Sequence, residues 1–189
     1  MPFVFSPPEL RNAKKRLRLE MKKRLGLLRP EDSLFLRERL QGNLWGFLSS
    51  RPGLWASYRP FGFEASPPRE APPGVEWVYP RLEGESLVFH RGDVFEKGRH
   101  GLEQPPASSE RIEVSRLTGV LVPGLAFDRE GRRLGRGAGF YDRTLAAFPG
   151  CKVGVAHACQ IVPALPDEDW DVTMNAVVTD QTVIVCGGI

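Results

Sequence analysis

Residues 131–143, GRRLGRGAGFYDR, bring together the residue types that bind phosphate groups. Three glycines alternate along the stretch, Gly135, Gly137 and Gly139. Glycine lets the backbone adopt positive φ and lets a ligand approach without a Cβ atom in the way, and successive N–H groups can then converge on an anion. Arg133 and Arg136 add guanidinium groups, whose planar forks match phosphate oxygens. The stretch therefore predicts a loop that binds a polyphosphate.

Asp142 carries a negative charge, which does not suit a phosphate-binding loop. It lies in a helix predicted to begin near Gly139, and the positive dipole end of that helix would favour a phosphate. The Asp142 carboxylate would instead repel a phosphate. A Mg²⁺ ion bound by the carboxylate and by phosphate oxygens removes this conflict, so Asp142 is a candidate metal ligand.

The spacing of the glycines matches neither of two familiar phosphate loops. The stretch lacks the GxxxxGK(S/T) pattern of a P-loop and the GxGxxG pattern of dinucleotide-binding folds. From the loop alone, a glycine-rich surface turn with solvated arginines is therefore an open alternative.

Two basic side chains of the first predicted helix can reach the same ligand. Residues 9–28 place an apolar seam on one helix face, formed by Leu10, Ala13, Leu17, Met21 and Leu28. At 100° per residue, Lys14 falls roughly 40° and Arg18 roughly 80° from that seam. Both can therefore fold over the edge of the core into a pocket, whereas Lys15, Lys22 and Lys23 are expected to point toward solvent.

The rest of the chain predicts alternating helices and strands. A second helix is predicted from Pro30 to about residue 50, with six apolar residues on its buried face: Leu34, Phe35, Leu40, Leu44, Phe47 and Leu48. Strands are predicted at 54–58, 75–80, 86–91, 119–127, 151–156 and 176–186, and a helix at 139–148. Residues 60–74 hold five prolines and predict a surface loop. This alternation favours an α/β fold, with three layers and a mostly parallel sheet, in a single domain over residues 1–189.

Composition and charge exclude several classes of protein. The 189 residues carry a net charge of +3, which permits an anionic ligand without requiring nucleic acid. The three cysteines form no zinc-binding spacing and are expected as free thiols, and the three histidines are too scattered for a metal site. No apolar run approaches the roughly 20 residues that span a bilayer, and the first residues lack the pattern of a signal peptide. We therefore expect a cytoplasmic protein that does not bind membranes.

Three segments together resemble the 5-formyltetrahydrofolate cyclo-ligases. They are residues 13–25 (AKKRLRLEMKKRL), residues 121–143 (LVPGLAFDREGRRLGRGAGFYDR) and residues 160–180 (QIVPALPDEDWDVTMNAVVTD). The resemblance implies a fold like that of NagB, ribose-5-phosphate isomerase and the CoA-transferases. It also implies ATP and Mg²⁺ as cofactors and a reduced folate as substrate. In that family, the formyl oxygen on N5 attacks the γ-phosphoryl group, N10 closes the ring, and ADP and phosphate leave.

The resemblance also assigns roles to individual residues. Catalytic roles fall on Lys14, Arg18, Arg136 and Tyr141. Contacts with ATP fall on Lys14, Arg18, Arg133, Gly135, Arg136, Gly137, Ala138, Gly139, Phe140, Tyr141 and Asp142. Contacts with the folate fall on Glu64, Arg136, Gly137 and Tyr141. Asp142 and Asp171 match the two acids associated with magnesium, of which Asp171 is found only through the resemblance.

The middle of the chain follows the family pattern less closely and leaves other functions open. Residues 65–79 are proline-rich where members of the family usually have a helix, and HGLEQP (100–105) stands in place of their FGIxEP. One alternative is an ATP-dependent paralogue that acts on another pterin, formamide or carboxylate. A second is a nucleotide- or phosphate-sensing protein without turnover. In the family reading we expect a monomer or weak homo-oligomer. RNA binding is disfavoured because the basic residues are not interleaved with exposed aromatic residues.

Overall fold

A computed structural model of the chain describes residues 7–28 and 30–187, which form three α-helices and twelve β-strands. The helices are α1 (Pro7–Gly26), α2 (Pro30–Ser49) and α3 (Phe140–Leu145). The strands are β1 (Gly53–Ala56), β2 (Val75–Glu83), β3 (Ser86–Arg91), β4 (Glu96–Lys97), β5 (Glu103–Gln104), β6 (Arg111–Ile112), β7 (Gly119–Pro123), β8 (Ala126–Phe127), β9 (Arg133–Leu134), β10 (Cys151–Val155), β11 (Ala176–Val178) and β12 (Val183–Val185).

Eight of these strands form one sheet in the order β12-β11-β10-β7-β1-β2-β3-β6. The five central strands, from β11 to β2, run parallel, and the outer strands at both edges pair antiparallel. All five residues of β7 are buried, as expected for an apolar strand in the middle of a parallel sheet. This architecture confirms the predicted α/β fold with a mostly parallel sheet.

The central sheet is covered on both faces. Leu121 of β7 packs in a cluster with the inner face of α2, whereas its neighbours Val120 and Val122 pack in a second cluster with Leu145 of α3. Helix α1 packs away from the sheet, where Met21 and Leu25 contact the hairpin formed by β8 and β9. The apolar face of α1 determines this position. Lys14 and Arg18, at the edge of that face, are thereby brought to the start of the glycine loop.

Two apolar segments that were predicted as single strands are each divided. The segment 119–127 bends at Gly124, after which β8 pairs antiparallel with β9 instead of continuing β7. The segment 176–186 turns back on itself, because the Thr179 hydroxyl oxygen accepts the N–H groups of Gln181 and Thr182. Apolar composition therefore located these strands without locating the turns inside them.

The predicted buried face of α2 is correct for its second half and wrong for its first. Leu40, Leu44, Phe47 and Leu48 are buried, but Leu34 is 55% exposed and Phe35 is 59% exposed. At 100° per residue, Phe35 lies about 160° around the helix from the centre of the buried face. Helical geometry therefore places Phe35 on the solvent side.

The three cysteines are free thiols, as expected. Cys151, Cys159 and Cys186 are each partly buried, and burial raises the pKa of each thiol. A raised pKa keeps a thiol protonated and unreactive near neutral pH. In the described part of the chain, no helix has both the length and the apolar character needed to cross a membrane.

Candidate active site

One cavity of about 980 Å³ opens at the carboxyl ends of the central strands. Pro123 and Gly124 line it at the end of β7, and Tyr58 and Arg59 line it just after β1. Ligands of open parallel sheets bind in this place because loops from several strands diverge there. The remaining walls come from α1, the proline-rich loop, the glycine loop and residues 168–173.

The structure brings every predicted site residue to this cavity. Its lining includes Lys14, Arg18, Glu64, Arg133, Gly135, Arg136, Gly137, Ala138, Gly139, Phe140, Tyr141, Asp142 and Asp171. These residues come from four separate parts of the chain, which the fold assembles around one space. Their placement is thus compatible with the roles predicted for them.

The glycine loop takes conformations that side chains would not allow. Gly137 has φ +106 and Gly139 has φ +70, both in the region that favours glycine. The Nε atom of Arg18 donates to the carbonyl oxygen of Gly135 at 2.9 Å. The Arg18 guanidinium also lies against Gly137, where a Cβ atom would be 3.5 Å from Cζ. Glycine at 137 is therefore required by the backbone conformation, whereas a Cβ atom beside the α1 cation would be at an ordinary contact distance.

The helix after the glycine loop is shorter than predicted. Helix α3 covers only Phe140–Leu145, whereas residues 139–148 were expected to be helical. A dipole of six residues is weak, so the charges on the arginines and the loop amides matter more at this site than the helix dipole does.

Lys14 lies between two carboxylates at one side of the cavity. The residue is 6% exposed, and its Nζ atom donates to Glu168 Oε2 at 2.7 Å and to Asp171 Oδ2. Asp171 Oδ2 also accepts the backbone N–H of Glu168 at 2.8 Å. Asp171, predicted as a metal-associated acid, thus closes a turn and pairs with Lys14. Sequence reasoning missed Glu168, and the turn itself gives no signal for it, because the turn uses only backbone atoms of that residue.

Asp142 is neutralised by Arg133 rather than left facing the loop. Arg133 Nη2 donates to both carboxylate oxygens of Asp142, at 2.8 and 2.9 Å. The two side chains are largely buried, and charge-assisted bonds of this kind are strong. The charge conflict noted from the sequence is therefore resolved within the chain, and it does not by itself require a metal ion.

The acidic side chains of the cavity fit a metal ion only when a bound ligand supplies further donor atoms. In residues 7–28 and 30–187, no group of three or more His, Cys, Asp or Glu side chains could hold an ion. Asp142 and Asp171 do line the same cavity. Mg²⁺ is commonly held by one or two carboxylates together with substrate phosphates, and this donor set fits that arrangement.

Glu64 connects the proline-rich loop to the glycine loop. Its Oε1 accepts from Arg136 Nε at 2.9 Å and its Oε2 accepts the N–H of Phe61 at 2.9 Å. Arg136 also donates through Nη2 to the Phe61 carbonyl oxygen. The loop that matched the family least closely therefore places its one cavity-lining carboxylate against the predicted phosphate loop.

Tyr141 lies partly buried in the cavity wall and cannot easily act as a base. Burial raises the pKa of its hydroxyl, and the negative charge of Glu64 raises it further. A tyrosine in this state stays protonated and offers a hydrogen-bond donor. Beside it lies an apolar wall formed by Pro80, Leu82, Leu87, Leu102 and Leu145.

Asp128 ties together two segments that carry site residues. Its fully buried carboxylate accepts the backbone N–H groups of Glu130 and Arg132 through Oδ1, and the N–H of Leu165 and a guanidinium N–H of Arg132 through Oδ2. Arg133 follows directly on one side, and Glu168 follows Leu165 by three residues on the other. Asp128 therefore fixes the glycine loop relative to the turn that holds Lys14.

Replacing Asp128 with alanine is expected to lower the free energy of unfolding by about 3 kcal/mol, because buried donors lose their acceptor. Urea denaturation of the variant and the wild type measures this difference. Glu130→Ala, in the same turn but exposed, serves as the control and is expected to change stability by less than about 0.5 kcal/mol. Equally small losses of stability in both variants would contradict the role of Asp128 in holding the two segments together.

Comparison with known proteins gives a consistent set of relatives. The model of the 5-formyltetrahydrofolate cyclo-ligase family matches residues 77–180. The 5-formyltetrahydrofolate cyclo-ligase of Escherichia coli K12 is 49% identical over 75 residues, covering 38% of this chain and 41% of the relative. That of Mycolicibacterium smegmatis is 43% identical over 88 residues, covering 45% of each chain. The matched segments thus span less than half the length of these two curated relatives.

Solved structures match over a longer part of the chain. The 5,10-methenyltetrahydrofolate synthetase of Aquifex aeolicus aligns with a TM-score of 0.78 at 28% identity, covering 93% of this chain and 94% of that chain. The 5,10-methenyltetrahydrofolate synthetase of Mycoplasma pneumoniae aligns with a TM-score of 0.72 at 22% identity, covering 88% and 98%. The second likeness shows the fold alone. Together they confirm the three-layer α/β architecture.

Proposed function

The chain belongs to the 5-formyltetrahydrofolate cyclo-ligase family, and from that premise we propose that it converts 5-formyltetrahydrofolate to 5,10-methenyltetrahydrofolate with ATP, releasing ADP and phosphate. One observation carries the proposal: a single cavity joins a basic, glycine-lined end to an apolar end that holds a carboxylate. Its volume of about 980 Å³ lies at the upper end of the usual range for ligand pockets. Such a space suits two reactants held side by side.

At the basic end, we assign the triphosphate to Lys14, Arg18, Arg133 and the amides of residues 135–139. Phosphoryl transfer depends on charge stabilisation and placement more than on a strong base. Arg18 has a carbonyl partner and, within the described residues, no carboxylate within ion-pair distance, so its charge is available to an anion. Mg²⁺, when bound between the phosphates and the carboxylates of Asp142 and Asp171, would neutralise phosphate charge and orient the γ-phosphoryl group.

At the apolar end, we assign the pterin ring to the leucine-lined wall and to Glu64. A pterin presents adjacent N–H donors, which a carboxylate can accept with both oxygens. Glu64 lies next to Arg136, so the ring and the phosphate loop are neighbours. Tyr141, protonated and partly buried, is assigned to the wall between the two reactants.

The side chains present are sufficient for the chemistry of the reaction. A formamide oxygen is already partly negative, so it attacks the γ-phosphoryl group without giving up a proton, and an O–P bond forms as ADP leaves. N10 then adds to the formyl carbon and loses its proton, which the departing phosphate can accept, and the C–O bond breaks to release phosphate. The chain needs to hold the oxygen in line, stabilise charge and exclude water. The absence of a histidine among the described residues of the cavity lining is compatible with this sequence of steps.

A spectrophotometric turnover assay with purified protein tests the proposal. With 5-formyltetrahydrofolate, ATP and Mg²⁺, we expect the near-ultraviolet absorbance of the methenyl product to rise in step with ADP. Nucleotide binding without this absorbance change would favour a paralogue with another substrate or a protein without turnover. The proposed state is a monomer or weak homo-oligomer in the cytoplasm, with these small molecules as its partners.

Glu64→Gln is expected to lower kcat/KM for the folate by about a hundredfold, because a neutral amide accepts the pterin donors less strongly. The KM for ATP should change much less, since Glu64 contacts the phosphate loop only through Arg136. Steady-state kinetics with each substrate varied in turn measures both values. Glu70→Gln, an exposed acid of the same proline-rich loop, is the control. A larger effect on ATP than on the folate would contradict the assignment.

A further inference from the structure

The charges that line the cavity as a whole are nearly balanced, although the proposed ligands are polyanions. Among the described lining residues, seven are basic and six are acidic. Arg133 is paired with Asp142 and Arg136 with Glu64. A free nucleotide with several negative charges would therefore meet a nearly neutral surface rather than a strongly positive one.

Around Lys14 the local balance is negative. Its single positive charge faces two carboxylates, those of Glu168 and Asp171. All three side chains are mostly shielded from solvent: Lys14 is 7% exposed, Glu168 21% and Asp171 20%. Shielding weakens the screening by water, so the extra negative charge acts strongly on a ligand in the cavity.

We propose that Glu168 is a specificity-determining residue that makes the site select the metal complex of a nucleotide over the free nucleotide. This inference rests on the proposed function, since it assigns the phosphates to the same end of the cavity. The interaction between two charges scales with their product. Free ADP carries about three negative charges and its magnesium complex about one, so Glu168 repels the free form more strongly.

Glu168 can be tested separately from Asp171 because the two acids have different structural tasks. Asp171 accepts a backbone N–H and closes the turn at residues 168–171. Within the described part of the chain, the Glu168 side chain forms its ion pair with Lys14, and its part in the turn is made by backbone atoms. Glu168→Gln therefore removes one charge and keeps the size of the side chain and the turn.

The experiment is isothermal titration of ADP into the full chain, once with Mg²⁺ and once with a chelator. For Glu168→Gln, we expect the affinity for metal-free ADP to rise about tenfold and that for Mg·ADP to change by less than about threefold. Glu168→Ala should shift the same ratio in the same direction, and melting temperatures confirm that both variants fold. The control is Glu20→Gln, an α1 acid that is 61% exposed and pairs with Arg24, which should leave both affinities unchanged.

The outcomes separate this inference from the proposed function. An equal rise in affinity for both forms of ADP would overturn the inference, and so would a fall in both. A fall in both would mean that Glu168 orients Lys14 toward the phosphates. In either case nucleotide binding and turnover by the wild type would remain intact. Failure of the wild type to bind ADP in any form would instead overturn the proposed function and the inference together.

Discussion

Turnover of 5-formyltetrahydrofolate is expected to fall by about a thousandfold or more when Lys14 is replaced with methionine. Lys14 is almost fully buried in the cavity wall and is one of the cations assigned to the phosphates, and methionine keeps its length while removing the charge. Two carboxylates would then face the phosphates without a counter-charge, which adds repulsion to the loss of attraction. Coupled measurement of ADP and methenyl product, together with the shift in melting temperature caused by Mg·ATP, records the effect.

Lys15→Met provides the matched control for this prediction. Lys15 is the next residue of α1 and is exposed, so the same charge is removed from the solvent face of the same helix. Its turnover and its Mg·ATP-induced melting shift should stay close to those of the wild type. Comparable losses in the two variants would show that the overall charge of α1 matters rather than the position of Lys14.

A second large effect is expected from Gly137→Ala, with kcat/KM for ATP reduced by about a hundredfold. Alanine rarely adopts φ near +106, so the loop must change its path. A Cβ atom itself would find room, at an ordinary contact distance of 3.5 Å from Arg18 Cζ, so the strain comes from the backbone. The changed path of the loop misplaces the amides that are assigned to the triphosphate, whereas the folate wall is left in place. Kinetics with ATP and folate varied separately should therefore show the loss on the ATP side.

Gly92→Ala separates backbone strain from loss of the site. Gly92 has φ +144, and a Cβ atom there would lie 3.6 Å from Ser109 Oγ, an ordinary contact distance, but Gly92 does not line the cavity. The free energies of unfolding of both variants should fall by about 1–3 kcal/mol, while only Gly137→Ala should lose activity. If Gly92→Ala lost ATP use to the same extent, general destabilisation would explain both results.

The parts of the site that sequence could predict are those with a local signal. Alternating glycines, the arginines between them and the helical spacing of Lys14 and Arg18 are all visible within short windows. The structure places each of them at the cavity, and it buries Lys14 while leaving Lys15 exposed. Helical phase alone sufficed for this, because α1 packs by a single apolar seam.

The parts that sequence could not predict depend on contacts between distant residues. Lys14 and Glu168 are separated by 154 positions, and no pattern near either residue identifies the other. The pairing of Arg133 with Asp142 was missed for a different reason: both residues were read as facing the ligand, although side chains of opposite charge pair with each other when buried. Charge type predicted a phosphate site among residues that the structure gathers at one cavity, but it did not predict how the chain balances that charge.

The middle of the chain shows a similar limit. Residues 60–74 have the composition of a loop and were the weakest part of the resemblance. The structure nevertheless brings Glu64 from this loop, and Leu82, Leu87 and Leu102 from the following segments, to one wall of the cavity. An apolar wall assembled from separated strands and turns has no local sequence signature.

A crystal structure of the protein with Mg²⁺ and a non-hydrolysable ATP analogue would show directly whether the triphosphate binds at the glycine loop. We expect phosphate oxygens within hydrogen-bonding distance of Lys14 Nζ, of the Arg18 guanidinium and of N–H groups in residues 135–139. A triphosphate bound elsewhere, for example in the groove between α2 and the proline-rich loop near Arg37 and Arg69, with Lys14 still held only by Glu168 and Asp171, would contradict this expectation.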